Sequence, residues 1–338
     1  MNVLGVETSC DETALAIVKD GKKIISHSLF SSLRFHRRYG GIIPEIASRY
    51  HLESIHYLFK SLFKKADLSI KDIDLVAVTA GPGLLGSLLV GVSFAKAMAY
   101  SLSLPLIGID HLHGHLYPVF LDPQYAKKIK FPFVGLVVSG GHTNLFYVKD
   151  FLSFQKLGIT LDDACGEALD KIARLLGLGY PGGPFIERLA QKGKANSIKF
   201  PVIKTENPLD FSFSGIKTAV IYFLKDKGYR EESFSRLPFN LKKDLCAAFQ
   251  ETLFDYLVKK SFLACQIKKS RQLVIGGGVA VNRYLRQKFQ KEAQEQNLEV
   301  YFSPSSLCLD NAVMIAGLGY VLFKKGRRDG WDLRIYTD

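Results

Sequence analysis

The sequence predicts an α/β fold built from a duplicated unit, two lobes around a central cleft, and three observations carry that reading. First, Val3–Asp20 (VLGVETSCDETALAIVKD) and Phe133–Asp150 (FVGLVVSGGHTNLFYVKD) align at an offset of 130 with seven of eighteen positions identical. Each copy reads as an apolar strand, a tight loop of small and polar residues and a second strand, the pattern of a β-hairpin. Second, extended and helical segments alternate after each hairpin, as α/β layers require. Third, 338 residues with 47% apolar and 23% charged composition exceed one ordinary domain and match none of the disordered, collagen-like or coiled-coil classes.

In chain order, Tyr39–Pro44 is a turn and Glu45–Lys65 a helix by spacing. His51 and His56 on that helix stand five residues apart and read as part of a solvated face. Asp74–Ala80 is a strand, Leu84–Ser101 an apolar helix and Leu104–Ile109 a strand. The stretch Leu75–Ala95 carries no charge over 21 residues, but Gly81-Pro82-Gly83 and Gly86 divide it into strand, turn and helix, so it reads as buried core rather than a membrane span. Asp162–Leu176 is an amphipathic helix stopped by Gly177, Gly179 and Pro181, and Leu241–Gln266 is a long helix. Gln272–Ile275 is a strand running into Gly276-Gly277-Gly278, with a helix at Asn282–Gln296. The expected division is a first lobe at 1–108, a second at 109–322, and a basic segment at 323–338 returning to the first.

Lys and Arg exceed Asp and Glu by 45 to 32, a formal charge of +13 that favours a polyanionic partner. The five cysteines are far apart with no Cys-x-x-Cys pair, which argues against a disulfide framework and fits a reducing compartment. Met1–Gly5 enters a strand directly, without a basic leader, so a cytoplasmic location is expected.

His111-Leu112-His113-Gly114-His115 places His111 and His115 one helical turn apart on one face, either a two-point metal site or a pair of core histidines. The zinc-protease pattern needs Glu where Leu112 stands. Asp310, ahead of an apolar helix, is the best third ligand, although an N-cap role would explain it equally well. Two imidazoles and one carboxylate accept iron, zinc or manganese and leave coordination positions open. Gly81-Pro82-Gly83-Leu84-Leu85-Gly86, followed by Asp110, imitates a dinucleotide fingerprint, but close helix–strand packing explains those glycines too. No Gly-x-x-x-x-Gly-Lys-Ser/Thr loop exists. Gly182-Gly183 and Gly276–Gly278 are either ligand-facing backbone or turns.

Taken together, VETSCDETA, YGGIIPEIASR, GPGLLGSLLVG, HLHGH, VSGGHT, DDACGEALDKIARLLGLGYPGGP, FSFSGIKTAV, GGGVAVN and DNAVMIA, in this order from Val6 to Ala316, resemble the family of bacterial tRNA threonylcarbamoyladenosine transferases. Asp110, Val281 and Val313 depart from its pattern without removing a ligand. The resemblance implies the actin-like, Hsp70-like and sugar-kinase-like fold. It implies transfer of a threonylcarbamoyl group from threonylcarbamoyl-AMP to the exocyclic amine of adenosine 37 in tRNAs reading codons that start with A. It implies one divalent metal, usually iron, on His111, His115 and Asp310. Val137, Val138, Ser139, Gly140, Gly141, Asp170, Gly183, Glu187 and Asn282 would bind the adenylate, and Asp11 would be catalytic or positioning. Without the family, Asp170 is equally a helix-face carboxylate paired with Lys171 or Arg174. Implied partners are tRNA, a paralogous actin-like chain without the metal site, a small ATPase and a separate adylate-forming synthase, with no membrane. The surface around Glu45–Leu62 is the expected partner face. Competing expectations are an actin-like-fold ATPase or kinase, another carbamoyltransferase, a metalloprotease, and a nucleic-acid scaffold without chemistry.

Overall fold

The computed structural model describes residues 1–202 and 204–337. The chain divides into two compact units, 1–128 with 303–338 and 129–302. Its strands and α-helices are, in order, β1 (Asn2–Glu7), β2 (Glu12–Lys19), β3 (Lys23–Ser31), α1 (Leu33–His36), α2 (Pro44–Ala66), β4 (Leu75–Gly81), α3 (Leu85–Ser101), β5 (Leu106–Asp110) and α4 (His111–Leu116). There follow β6 (Phe133–Val138), β7 (Thr143–Asp150), β8 (Ser153–Ile159), α5 (Cys165–Leu175), α6 (Gly182–Ala190), α7 (Ser214–Asp226), α8 (Phe239–Lys268), β9 (Gln272–Gly276), α9 (Arg283–Glu295), β10 (Glu299–Phe302) and α10 (Ala312–Lys324).

The duplication is visible in the sheets. The first unit orders its strands β3-β2-β1-β4-β5, and the second β8-β7-β6-β9-β10. Val3 pairs with Val18 and Leu4 with Ile17, while Phe133 pairs with Val148 and Val134 with Tyr147, so the offset of 130 survives residue by residue in the hydrogen-bond register. Because side chains alternate across a strand, a register kept in this way keeps the same face on the core in both copies.

In each unit the central strand is parallel to its next two neighbours in the sheet order: β1 to β4 to β5, and β6 to β9 to β10. Parallel strands end at the same edge, and in open α/β sheets that carboxyl edge is where ligands are held. Glu7, Thr79 and Asp110–His111 reach it in the first unit; Ser139 and Gly277 follow it in the second.

β1, β4 and β6 are apolar along almost their whole length because both faces are covered, whereas β3 alternates buried and exposed residues. One cover is α10, which lies directly on β1: a Cβ on Gly5 would sit 2.3 Å from the Ala312 carbonyl oxygen. The chain therefore comes home after the second unit, so the units part near residues 128 and 302 rather than at the expected 108 and 322. α4 and α10 both belong to the first unit, and 329–336 runs along its sheet, with Asp329 N–H donating to Leu106 O and Tyr336 N–H to Ala80 O. The sequence predicts a return of 323–338 only; the return of α10 as well is specified by its contact with β1, which local pattern does not contain.

Two boundaries also move. The helix expected from Asp162 begins at Cys165, because Asp162 accepts the N–H groups of Phe213 and Ser214 and both adjacent hydroxyls, an arrangement outside the helix. The uncharged stretch 75–95 resolves into β4, a turn and α3, and no helix among the described residues is long and apolar enough to cross a membrane.

Candidate metal centre and phosphate loop

α4 begins where β5 ends, and Asp110 caps it by accepting the His113 N–H at 2.9 Å. Gly114 lets α4 approach α10, since a Cβ there would already touch Ile315 and Met314. Ser303 donates to the His115 carbonyl at 3.2 Å, tying α4 to the segment that leads to Asp310. Asn311, not Asp310, caps α10 by accepting the Met314 N–H at 2.9 Å. The capping explanation for Asp310 therefore falls away.

The released carboxylate turns to the histidines. Asp310 Oδ1 lies 3.1 Å from His115 Nε2 and 3.6 Å from His111 Nε2, and the two Nε2 atoms are 3.1 Å apart. Both rings are buried. Two ligands each about 2.1 Å from one ion stand about 3.0–3.6 Å apart for angles between about 90° and 120°. The three donors thus fit a single cation, and they form the one such group among the described residues.

Behind them lies Glu7, fully buried at the end of β1. Its Oε2 is 3.1 Å from His111 Nδ1 and accepts the Thr79 hydroxyl at 2.5 Å, while its Oε1 accepts the Ser9 N–H at 2.6 Å. A carboxylate only accepts, so the proton on Nδ1 is the one His111 keeps when a metal takes Nε2, the tautomer a metal ligand needs. Burial alone would lower the His111 imidazole, but Glu7 and Asp310 raise it to about 9. A metal taking Nε2 must displace the second proton. His115 Nδ1 meets no hydrogen-bond acceptor among the described residues, so Glu7 supports His111 alone. Glu7→Gln is expected to weaken metal retention by about 10–100-fold, the usual effect of losing such a support, read by competition with a chelator; unchanged retention would refute the support role.

Asp11 lies in the β1–β2 loop with its side chain largely buried. Burial raises its carboxyl above the ordinary aspartate range, and Asp310 adds to the effect. The loop is held at three successive carbonyls: Ser9 O by Leu84 N–H, Cys10 O by His51 Nε2, and Asp11 O by the N–H and hydroxyl of Ser32. His51 corrects the sequence reading. It is 1% exposed, with Nδ1 2.8 Å from the Thr13 hydroxyl, and only His56 faces solvent. Burial also pushes the Cys10 thiol well above its usual range.

In the second unit, Val137 and Val138 end β6, and Ser139 closes the following turn by donating its N–H to His142 O. A Cβ on Gly140 or Gly141 would meet no atom within 4 Å, and neither residue has a positive φ. Neither packing nor backbone conformation among the described residues calls for glycine there. Gly166, by contrast, is needed for packing, because a Cβ would strike Ser139 O and Gly140 Cα as α5 starts beneath the loop.

The remaining acceptors are partly engaged by helix ends. Asp170 Oδ1 accepts the Gly182 N–H at 2.6 Å at the start of α6, so the pairing with Lys171 is not made; that lysine bonds Asp163 and Glu167. Burial raises Asp170 to about 6. Glu187 Oε1 accepts the Arg283 N–H at 2.7 Å, and Asn282 caps α9 through Leu285 N–H. Among the described residues, Asp170 and Glu187 each keep one carboxylate oxygen beyond these bonds. Gly183 stands in the first turn of α6, where only the tip of Leu169 lies near a would-be Cβ.

The family model for tRNA N6-adenosine threonylcarbamoyltransferase matches residues 23–317. The chain belongs to this family. Among curated relatives, the tRNA N6-adenosine threonylcarbamoyltransferase of Bacillus licheniformis is 47% identical over 332 residues, 98% of this chain and 94% of that one. Its Bacillus subtilis counterpart is 46% identical over 334 residues, again 98% and 94%. Among solved structures, T. kodakarensis HypF superposes with a TM-score of 0.65 at 16% identity over 96% of this chain. The chain spans 48% of HypF's length, and at that identity the likeness concerns the fold alone. The resemblance read from the motifs and the duplicated actin-like fold both stand, and the family's reaction makes this chain a transferase.

Proposed function

We propose that this chain transfers a threonylcarbamoyl group from threonylcarbamoyl-AMP to the exocyclic amine of adenosine 37 of tRNA, in the cytoplasm, and that it uses iron on His111, His115 and Asp310. The observation that carries the reading is the meeting of those three donors, fixed by Glu7, in a chain of this family. Neither an ATPase nor a kinase has a use for that group.

In the reaction, the adenine amine forms a bond to the carbamoyl carbon and the carbon–oxygen bond to the phosphate breaks, releasing AMP. Held by His111, His115 and Asp310, a metal would supply Lewis acidity toward the acyl group. Gly140 and Gly141 offer N–H groups to the phosphate, unobstructed by side chains. The unengaged oxygens of Asp170 and Glu187 accept ribose hydroxyls, and Asn282 keeps the start of α9 in place beside them. Asp11, a stronger proton acceptor than a solvated aspartate because it is buried, takes the proton from the attacking amine. The test supplies purified chain and its partner proteins with tRNA, threonine, bicarbonate and ATP, then digests the tRNA. Appearance of the modified nucleoside is expected; ATP turnover by the isolated chain without that nucleoside would favour the ATPase alternative.

The paralogous partner is placed on α2 and α3, where Leu52 and Leu89 are exposed beside Ile55, Val90 and Phe94 in an apolar groove. Leu52→Asp with Leu89→Lys is expected to abolish co-purification with the paralogue; an intact complex would refute this placement. The small ATPase and the synthase are proposed as the other components of the system.

A further inference from the structure

The loop from Leu33 to Gly41 has a composition and a construction that the transfer chemistry leaves unexplained. It carries Arg34, Arg37 and Arg38 with no acidic residue between Leu33 and Pro44. All three are exposed, and none lies within 4 Å of a carboxylate among the described residues. Arg34 stacks over Phe35 at 4.5 Å and Arg38 over Tyr39 at 4.7 Å, and the Tyr39 ring is itself 47% exposed.

The loop is nevertheless firmly built. His36 is fully buried; its Nδ1 accepts the Ile43 N–H at 3.2 Å, so the proton sits on Nε2, 2.9 Å from the Ser32 hydroxyl. That hydroxyl donates in turn to Asp11 O at 2.9 Å. One neutral imidazole therefore joins the two ends of the loop and hangs it from the carbonyl of the proposed proton acceptor. Phe35 anchors the middle by stacking on Tyr50 of α2, with centroids 4.0 Å apart and planes at 15°. Gly40 makes the return bend at φ 68°, a left-handed conformation that favours glycine.

Guanidinium groups lying on rings, beside an exposed aromatic face, are the chemistry that recognises unpaired nucleic acid: the cations meet phosphates and the rings stack on bases. An acidic protein would reward the arginines but not the open ring of Tyr39. We propose that the 33–41 loop is a contact for the single-stranded anticodon loop around the target adenosine. Its attachment to the Asp11 carbonyl sets the loop beside that residue. The inference rests on tRNA being the substrate.

The test uses full chains and a tRNA transcript whose anticodon reads a codon starting with A. Binding is measured by anisotropy across a salt series, and turnover by the modified nucleoside. Neutralising Arg34, Arg37 and Arg38 together to Gln is expected to reduce the slope of log K against log salt by about 2, near 0.7–0.9 per lost phosphate contact. The KM for tRNA should rise about tenfold or more, with kcat within about twofold. Tyr39→Ala should weaken binding about tenfold and leave the slope unchanged, as loss of one stacked base does. Neutralising the exposed Lys60, Lys64 and Lys65, about 25–30 Å along α2 from its first turn, should do neither. An unchanged slope in the arginine variant, or an equal loss in the lysine variant, would overturn the proposal. So would intact tRNA binding with loss of a protein partner. If the wild-type chain modifies tRNA while the arginine variant behaves identically, this inference alone falls; if the wild type makes no modified nucleoside, the transferase reading falls with it.

Discussion

Replacing His111 or Asp310 with alanine is expected to abolish nucleoside modification, with a loss of at least about a hundredfold, because removing a direct ligand costs more than the 10–100-fold typical of its supports. The argument is geometric. His115 Nε2, His111 Nε2 and Asp310 Oδ1 lie within 3.6 Å of one another, and each is delivered by a separate device: the His111–His115 spacing on α4, the Asn311 cap that frees Asp310, and Glu7 fixing the His111 tautomer. Metal content should fall with activity, while the thermal midpoint should not collapse, since Asp310 makes no cap that its loss would break. Full activity in both variants would remove the metal from the account.

The second large effect is expected in the other unit. Gly140→Ala and Gly141→Ala have no neighbour to clash with and no positive φ to violate. Such replacements ordinarily stabilise by about 0.4–1 kcal/mol, through the unfolded chain. The variants should therefore melt at or slightly above the wild-type temperature, yet show a KM for the adenylate raised about tenfold or more. Stability and activity moving in opposite directions is the signature of space reserved for a ligand. Equal KM values would mean that the two glycines are only a turn.

How much of this was legible beforehand depends on how local each feature is. The His111–His115 pair could be read because four-residue spacing on a helix is a local fact. The 130-residue repeat could be read because two hairpins keep their register in sequence as in space. Asp310 could only be offered beside a capping role, and its neighbour turned out to be the cap. Glu7 was missed, although a carboxylate ending a wholly apolar strand was a signal; its meaning depends on β1, β4 and β5 being parallel neighbours, which no local pattern contains. His51 was misjudged by comparison with His56, when the informative spacing was to Ala47 and Ile55, four residues to either side on the buried face of α2. The unit boundaries were displaced for the same reason that Glu7 was hidden: the return of α10 onto β1 is a long-range contact.

The most direct test is crystallographic. Protein loaded with ferrous iron under anaerobic conditions should give, in data collected at the iron absorption edge, one anomalous peak bonded to His111 Nε2, His115 Nε2 and Asp310 Oδ1. A peak elsewhere, or those three side chains turned away from one another with no ion among them, would contradict the account.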